Sequence, residues 1–523
     1  MLTGSANAIL GAVSAFGSNC PDLIQRLVGM VSLWLKADVT TMKNRLSRAR
    51  ASSAPPAREH LQWRWIVLTG CALLALVGVL RPSRRPAPDG AAGDSSRVAA
   101  AESASDSSHP RAQSYGHHRS SAASPTATAE EIVAAKVARF GRSRREFVYA
   151  VARRTGKPVP ADVERFFDAI EAGDWERIET EWKGLSKRSR QYEGSTSDPG
   201  LDPFWMAVLD AYGAAEQAHE WPAQQLLDYG NGILNSLRPG MVYVGGTDNG
   251  RWIPELLNET GEGEPRVMLT QNALADGRYL EYVTELYGGR LNSLSSEDSQ
   301  RAFQEYVADA QKRLEHDQQF PDEPKQLRPG EDVRVVDGKM QVGGQVAVMS
   351  INEKLLQALM TKNLDLSFAI QESFPFKGTY ADALPLGPLM ELRAREGQDA
   401  SMAERAEQTL DYWRGAAQQV LSDPDAIGSA AALKSYSHDS VATANLLVAH
   451  NLHAEAEEAY RLAMRFWPEN SESTVGLADL LASTGRPDEA RQLLNDFARD
   501  HPEQQKELKR HNAAWRLIFG GQP

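Results

Sequence analysis

Residues 437–504 contain one pattern written twice, and this repetition constrains the fold more than any other feature of the chain. The copies, 437–470 and 471–504, are each 34 residues long. Aligned, they match Asn451 with Gly485, Ala456 with Ala490, Tyr460 with Leu494 and Pro468 with Pro502. A small alanine lets two helices cross closely, the bulky residue that follows fills the next layer, and proline stops the second helix. Each copy therefore predicts two helices joined by a turn.

This pattern resembles the tetratricopeptide repeat, although the tryptophan and glycine of that family's first helix are absent. The resemblance implies an α-solenoid whose stacked helix pairs form a concave surface for a peptide or a partner helix. Because two units seldom suffice, Met402–Leu421 is predicted to be a degenerate preceding helix and Gln505–Phe519 a capping helix. Residues 401–523 thus form the predicted repeat region, and an unidentified protein is its expected partner.

Residues 241–400 alternate short apolar runs with segments of helical spacing, which is typical of an α/β domain. The predicted strands are Val242–Val244, Val267–Leu269, Leu366–Ile370 and Leu389–Leu392, with a hairpin of Val333–Val336 and Met340–Val342. The predicted helices are Trp252–Leu257, Arg278–Leu286, Glu297–Leu314 and Ile351–Met360. This alternation favours a small, mainly parallel sheet covered by helices. The fold class is therefore α/β plus all-α.

Polar side chains follow the main predicted strands directly. The candidate ligand-binding residues are Gly245, Gly246, Thr247, Asp248, Asn249 and Arg251 after the first strand, Gln271, Asn272 and Asp276 after the second, and Glu372 after the run ending at Ile370. Because the carboxyl ends of parallel strands share one edge of a sheet, we expect these clusters to meet there. The glycines and the following helix N-terminus suit an anion. A capped turn without a ligand is the alternative interpretation.

The motifs of well-known catalytic sites do not accompany this loop. The sequence has no GxxxxGK followed by Ser or Thr, no complete GxGxxG, no GxSxG and no HExxH. Residues 200–399 contain only His219 and His316, and neither adjoins the polar clusters. No catalytic residue, metal site or cofactor is therefore predicted, and whether the chain is an enzyme stays open.

Residues 129–240 are predicted to form helical hairpins. Ile132, Val133, Val137 and Phe140 recur at helical spacing near the start of this region. Pro203 and Pro222 each open a later segment of the same kind, as proline does at the first turn of a helix.

Residues 65–80 form a 16-residue run without a charge, bracketed by Arg64 and Arg81. This run predicts a transmembrane helix, and Trp63 and Trp65 suit the membrane interface. A buried core helix, a signal peptide starting at Met42 and lipidation at Cys71 are the alternatives. Residues 81–128 are rich in Ser, Ala and Pro and are predicted to be a disordered linker.

The charge distribution predicts an orientation in the membrane. Residues 1–85 carry 11 Lys and Arg against 3 Asp and Glu, whereas the whole chain has a net charge of -12. The positive-inside rule places the basic region 1–64 in the cytoplasm and the later domains outside it. The acidic remainder argues against nucleic acid as a partner. With only Cys20 and Cys71 present, no disulfide framework is available.

A second resemblance covers about residues 130–400. The phrases MVYVGGTDNGRW, LTQNALADGRYLEY, GGQVAVMSIN and ESFPF resemble an uncharacterised family of bacterial membrane-anchored tetratricopeptide proteins from planctomycete and verrucomicrobial genomes. The phrase Gly246-Thr247-Asp248-Asn249 is weakly similar to one in the extracytoplasmic tails of glycosyltransferase-like multi-span proteins, whose spans this chain lacks. We predict a single-pass, membrane-tethered interaction or assembly module of the cell envelope; an envelope ligand-binding protein or glycan-related enzyme is the alternative.

Overall fold

The computed structural model describes residues 127–189, 198–246, 248–328, 330–336, 339–372, 376, 378–392 and 401–504. All of these residues belong to the same structural unit. The predicted transmembrane helix 65–80 and the predicted capping helix Gln505–Phe519 lie outside them. Within the described ranges, no helix is both long and apolar enough to cross a membrane.

Fifteen α-helices and seven strands make up the described part of the chain. The helices are α1 (Ala129–Thr155), α2 (Ala161–Ala172), α3 (Trp175–Ser186), α4 (Trp205–Glu220), α5 (Ala223–Ser236), α6 (Asn249–Glu259), α7 (Gly277–Tyr287), α8 (Ser296–Gln319), α9 (Gln345–Lys362), α10 (Met402–Val420), α11 (Pro424–Gly428), α12 (Ala430–Ala449), α13 (His453–Phe466), α14 (Ser471–Ser483) and α15 (Pro487–Asp500). The strands are β1 (Val242–Gly245), β2 (Met268–Thr270), β3 (Asp332–Val336), β4 (Lys339–Gly343), β5 (Phe368–Ile370), β6 (Leu384–Leu386) and β7 (Leu389–Glu391).

The main sheet has five strands in the order β2-β1-β5-β7-β6. Strand β1 pairs in parallel with both β2 and β5, whereas β7 is antiparallel to β5 and to β6. The prediction of a mainly parallel sheet is therefore right for β1, β2 and β5 and wrong for β6 and β7, which form an antiparallel pair. Strand β6 was not predicted because its centre is Pro385. A proline lacks the N–H needed inside a sheet, and β6 lies at the edge, where that loss is tolerated.

One apolar core runs through most of the described chain. It joins side chains of α1 to α5, the five-stranded sheet and the first repeat helices, with Trp205, Tyr243 and Trp413 among its largest buried members. All four residues of β1 are buried, as expected for a central parallel strand with both faces covered. The separate β3–β4 hairpin packs against a small cluster around Tyr306 on α8.

The two predicted repeat units form helix pairs, α12 with α13 and α14 with α15. The aligned turn residues Asn451 and Gly485 both have positive φ, 61° and 84°, so the two turns match in backbone conformation. The aligned alanines, Ala456 and Ala490, are fully buried. Helix α10 packs against α13 in the place of the predicted preceding helix. Helix α10 and the four repeat helices share a second apolar core, and α10, α12 and α13 also contribute to the main one.

Candidate functional site

The three parallel strands end side by side at one edge of the sheet. The backbone N–H of Gln271, just after β2, donates to the carbonyl of Gly245 at 2.9 Å, and that of Gln371, just after β5, donates to Val244 at 2.9 Å. The ends of the three strands are thus held together by backbone hydrogen bonds. We refer to this region as the sheet edge.

The candidate residues differ in their exposure to solvent. Gly245, Gly246, Arg251, Gln271, Asn272 and Glu372 are buried, Asn249 and Asp276 are partly exposed, Asp248 is exposed, and Thr247 lies outside the described residues. Asp276 caps α7 by accepting a hydrogen bond from the Arg278 N–H at 2.9 Å. Of the candidates, Asp248, Asn249 and Asp276 therefore offer the most surface to a ligand.

Gly245 allows the loop to fold back closely on its own strand. A Cβ atom at this position would lie 2.5 Å from the Gly250 carbonyl oxygen and 2.7 Å from the Tyr243 ring. In a regular helix the Gly250 carbonyl would accept a hydrogen bond from the N–H four residues later. That residue is Pro254, which has no N–H. The Tyr243 hydroxyl lies 2.5 Å from the Gly250 carbonyl oxygen and supplies the missing donor. Glycine at 245 thus serves the packing of α6 on β1.

Asp248 has a backbone conformation that side-chain-bearing residues seldom adopt. Its φ is 53° and its ψ is -115°, a region that favours glycine and is found at the first central position of type II′ turns. Its carbonyl accepts hydrogen bonds from the N–H groups of Arg251 and Trp252 at 3.0 and 2.9 Å, which start α6. Such strain costs about 1–3 kcal/mol and is concentrated at functional positions.

A buried hydrogen-bond cluster ties the sheet edge to the first repeat helix. The side-chain amide of Gln371 donates to Asp439 on α12 at 2.7 Å and to the Tyr229 hydroxyl on α5 at 2.5 Å. Tyr229 in turn donates to Asp439 at 2.9 Å and accepts from Asn249 at 3.1 Å. The Tyr243 hydroxyl lies 2.7 Å from the side-chain amide oxygen (Oε1) of Gln371. We call these five residues the Gln371 cluster.

The Gln371 cluster keeps its two tyrosines protonated. Burial raises the pKa of both the Tyr229 and the Tyr243 hydroxyl well above the ordinary value, and the nearby negative charge of Asp439 adds to this. Both hydroxyls are therefore available as donors at neutral pH. The side-chain amide of Asn249 donates a hydrogen bond to the Tyr229 hydroxyl, so this predicted ligand residue also has a role within the fold.

Arg251 points into a second buried cluster. Its guanidinium pairs with Asp210 on α4, and its Nε lies 3.7 Å from Glu255. Arg144 on α1 approaches Asp210 at 3.5 Å and makes two short hydrogen bonds to Glu259, at 2.5 and 2.6 Å. With only 8% of its side chain exposed, Arg251 holds α6 to α4.

Glu372 is a buried carboxyl with neutral donors around it. The Tyr380 hydroxyl donates to one of its oxygens at 2.6 Å, and the Phe376 N–H donates to the other at 3.2 Å. Burial raises the pKa of Glu372 to about 7, although these hydrogen bonds oppose the rise. Glu372 is therefore partly protonated at neutral pH.

Glu216, on α4, is a second carboxyl with a raised pKa, and it was not among the predicted site residues. Burial raises its pKa to about 7, the Tyr212 hydroxyl opposes this with a hydrogen bond at 2.8 Å, and the charge of Asp248 adds to the rise. Glu216 and Asp248 are thus close enough for their charges to interact.

Sequence reasoning missed the residues that organise the sheet edge. Tyr229 lies at helical spacing, which favoured a role in the core, and it is indeed buried, but its hydroxyl serves the Gln371 cluster. Asp439 belongs to the polar run Ser437–Ser440 in a helix that the repeat pattern predicts to be largely packed. That run of buried polar residues was the available signal, because buried polar groups need partners.

A tetratricopeptide repeat family model matches residues 447–510. This range covers the second predicted repeat completely and the first in part, because it includes the last three residues of α12 and all of α13, α14 and α15. The chain contains tetratricopeptide repeats. A search of the curated proteins and a search of the solved structures each found no match. Within the described residues, no group of three or more His, Cys, Asp and Glu side chains could hold a metal ion.

Proposed function

We propose that this chain is an interaction or assembly module that binds a protein partner through its tetratricopeptide repeats. The observation that carries the proposal is the match of the repeat family to helices that pair and stack as repeats do. Such stacks create extended concave surfaces that bind peptides and helices. The sheet edge covers part of α12, through Asp439, so the binding surface lies further along the repeats.

The surface that fits this role comes from the first helices of the two repeats. We call it the repeat face, and it consists of Asn445 and Val448 on α12 and Glu472, Val475 and Asp479 on α14. These residues are partly or fully exposed and recur three or four positions apart, so they share one side of their helices. Both valines are apolar side chains at the border of the repeat core. The acids beside them favour a partner segment that has an apolar residue flanked by Lys or Arg.

Charge reversal on the repeat face tests this proposal. The full chain should recover a protein partner in stoichiometric amount, and the double change Glu472→Lys with Asp479→Lys should abolish the recovery. The matched control is Asp488→Lys on α15, an 89% exposed side chain that is not part of the face. Equal recovery by both variants would mean that the partner binds elsewhere.

The cellular setting is a separate part of the proposal. We propose that residues 65–80 tether the chain to a membrane, with residues 1–64 in the cytoplasm and the repeats outside it, in the cell envelope. The support is the uncharged run between Arg64 and Arg81 and the basic bias before it. A reporter enzyme fused after residue 128 should be active only outside the cytoplasm, and activity inside would contradict this topology.

A second candidate function is the binding of a glycan-related ligand at the sheet edge, which is the alternative stated in the sequence analysis. The observation that favours it is the strained, exposed Asp248, whose charge raises the pKa of the Glu216 carboxyl. Asn249, Asn272 and Glu372 would complete this site. If the chain is an enzyme, Asp248→Ala should abolish turnover without lowering the melting temperature. If the chain acts only through its repeats, the same change should leave partner recovery unaltered.

A further inference from the structure

The 34-residue spacing that relates the two repeats continues into residues 505–519, which we call the tail and which lie outside the described residues. One step of 34 from Leu447 reaches Leu481, and a second step reaches Trp515. Both leucines are buried in the repeat core, so Trp515 stands at a core position of the repeat. Leu508, seven residues earlier, shares its side of a helix. The match to the tetratricopeptide family model also continues to residue 510.

The packing of α14 shows where a helix formed by the tail would lie. Helix α14 packs against α12 and α13 of the preceding repeat and pairs with α15. Because a repeat stack applies the same step each time, the next helix would pack against α14 and α15. Four residues separate α13 from α14, and four residues, 501–504, likewise separate α15 from the tail. The connection to the tail therefore has the length that the repeat requires.

The same spacing places basic residues of the tail next to the repeat face. One step of 34 from Glu472 reaches Lys506, and one step from Val475 reaches Lys509. Arg516 follows Lys509 after seven residues, on the same side of a helix. Neighbouring packed helices lie about 8–10 Å apart. The acidic part of the repeat face, on α14, would thus adjoin a basic part on the tail.

We propose that the tail is the first helix of a third repeat and extends the repeat face, which changes from acidic on α14 to basic on the tail. This inference rests on the proposed function and specifies the partner. The bound segment carries Lys or Arg opposite α14 and Asp or Glu opposite the tail, about 8–10 Å further along. Such a segment binds in one direction only, because the reverse direction brings like charges together.

Hydrogen exchange of the purified full chain tests the position of the tail without any partner. The amides of residues 509–518 should exchange at least about 10-fold more slowly than their intrinsic rates. Trp515→Ala should remove this protection and lower that of α14 and α15, because its side chain fills the next layer of the repeat core. The matched control is Leu517→Ala, since the equivalent residues Ala449 and Ser483 are exposed, and it should leave the protection unchanged. Intrinsic exchange rates in the wild-type tail, or equal effects of the two variants, would overturn the proposal.

Photo-crosslinking in cells tests the chemistry of the partner segment. One step of 34 from Asp479 reaches Ala513, which is therefore the position on the tail for a photo-reactive residue. Crosslinks from position 513 and from position 475 should join the same protein, and mass spectrometry should locate them in one segment that contains both basic and acidic residues. Crosslinks to a segment with charges of one sign only, or to two different proteins, would overturn the proposal.

Charge reversal in the tail separates this inference from the proposed function. In the full chain, Lys506→Glu with Lys509→Glu should reduce partner recovery at least about 10-fold. The matched control is Arg491→Glu with Arg499→Glu on α15, whose side chains are 43% and 67% exposed and are not part of the repeat face.

The outcomes distinguish the two claims. Unchanged recovery by the tail variant, with loss in the double variant of Glu472 and Asp479, would overturn this inference and leave the proposed function standing. If the wild-type chain recovers no partner, the proposed function fails and the partner chemistry fails with it, whereas hydrogen exchange still decides the position of the tail.

Discussion

At the scale of single residues, Asp248 and Arg251 show that neighbours in one loop can have opposite roles. Asp248 is exposed and strained, whereas Arg251, three residues later, is buried among Asp210 and Glu255. Their sequence context, a glycine-rich turn before a helix, is the same. The difference arises from α4, in the helical lead-in, which supplies Asp210 as the partner of Arg251. No local pattern predicts that contact.

Replacement of Asp248 by glycine should stabilise the protein. Glycine adopts φ 53° and ψ -115° without steric cost, so Asp248→Gly should raise the free energy of unfolding by about 1 kcal/mol. Asn451→Gly is the control, because Asn451 also has a positive φ, 61°, but asparagine tolerates the left-handed region. Denaturant unfolding measures both. A gain at 451 without one at 248 would contradict the assignment of strain.

Removal of the Arg251 guanidinium should destabilise the fold strongly. Arg251→Ala leaves Asp210 with fewer partners inside the protein, so the expected loss is about 3–5 kcal/mol. Arg278→Ala, which breaks the 25% exposed pair with Asp202, should cost no more than about 1 kcal/mol. Thermal and denaturant unfolding compare the two variants. Similar small losses would indicate that Arg251 is free to serve a ligand.

At the scale of elements, sequence periodicity located most helices and strands but not their partners. The runs Val242–Val244 and Val267–Leu269 became β1 and β2, and the hairpin at 333–342 became β3 and β4. Strand β7 was predicted as Leu389–Leu392, but its antiparallel partner β6 was missed, because Pro385 hides the strand character of β6. Helix α12 begins at Ala430, seven residues before the aligned repeat, since Ser429 caps it there.

The Gln371 cluster could not have been predicted from the sequence. Its hydrogen bonds join positions 142, 128 and 68 residues apart, and each partner taken alone is an ordinary core tyrosine or a capping polar residue. What the sequence did indicate was the meeting of polar strand ends, because the parallel order of three strands requires it. Whether that edge binds a ligand depends on Asp248 and Glu216, which are far apart in the chain.

Helix α6 should depend on a hydroxyl outside the helix. Tyr243→Phe removes the group that lies 2.5 Å from the Gly250 carbonyl, which Pro254 cannot satisfy. A buried acceptor without a partner costs about 1–3 kcal/mol, so unfolding free energy should fall by that amount. Tyr149→Phe, whose hydroxyl bonds the partly exposed Glu164, is the control and should be nearly neutral. Equal losses would contradict the role assigned to Tyr243.

At the scale of the whole molecule, one core joins the helical lead-in, the sheet and the first repeat helices. The repeats are therefore attached to the rest through a large apolar interface as well as through polar groups such as Asp439. A partner bound at the repeat face would therefore meet helices that are packed against the sheet and the helical lead-in.

Stability should fall as the pH rises through neutrality. The folded pKa of Glu372, about 7, lies above the ordinary value of 4.5, so the folded state holds this proton more tightly than the unfolded state does. The contribution of this proton to the free energy of unfolding is complete below about pH 4.5. It amounts to up to about 3 kcal/mol and is lost as the pH rises through about 7. Glu372→Gln should remove this component of the pH profile in denaturant unfolding. An unchanged profile would contradict it.

Site-specific photo-crosslinking in cells measures whether the repeat face binds a protein partner. A photo-reactive residue in place of Val475 should crosslink the full chain to one protein. The same residue in place of Asp488, exposed on α15, should not. Crosslinks to one protein from position 475 alone are the predicted result. Crosslinks from position 488 alone, or none from position 475, would contradict the binding of a partner at the repeat face.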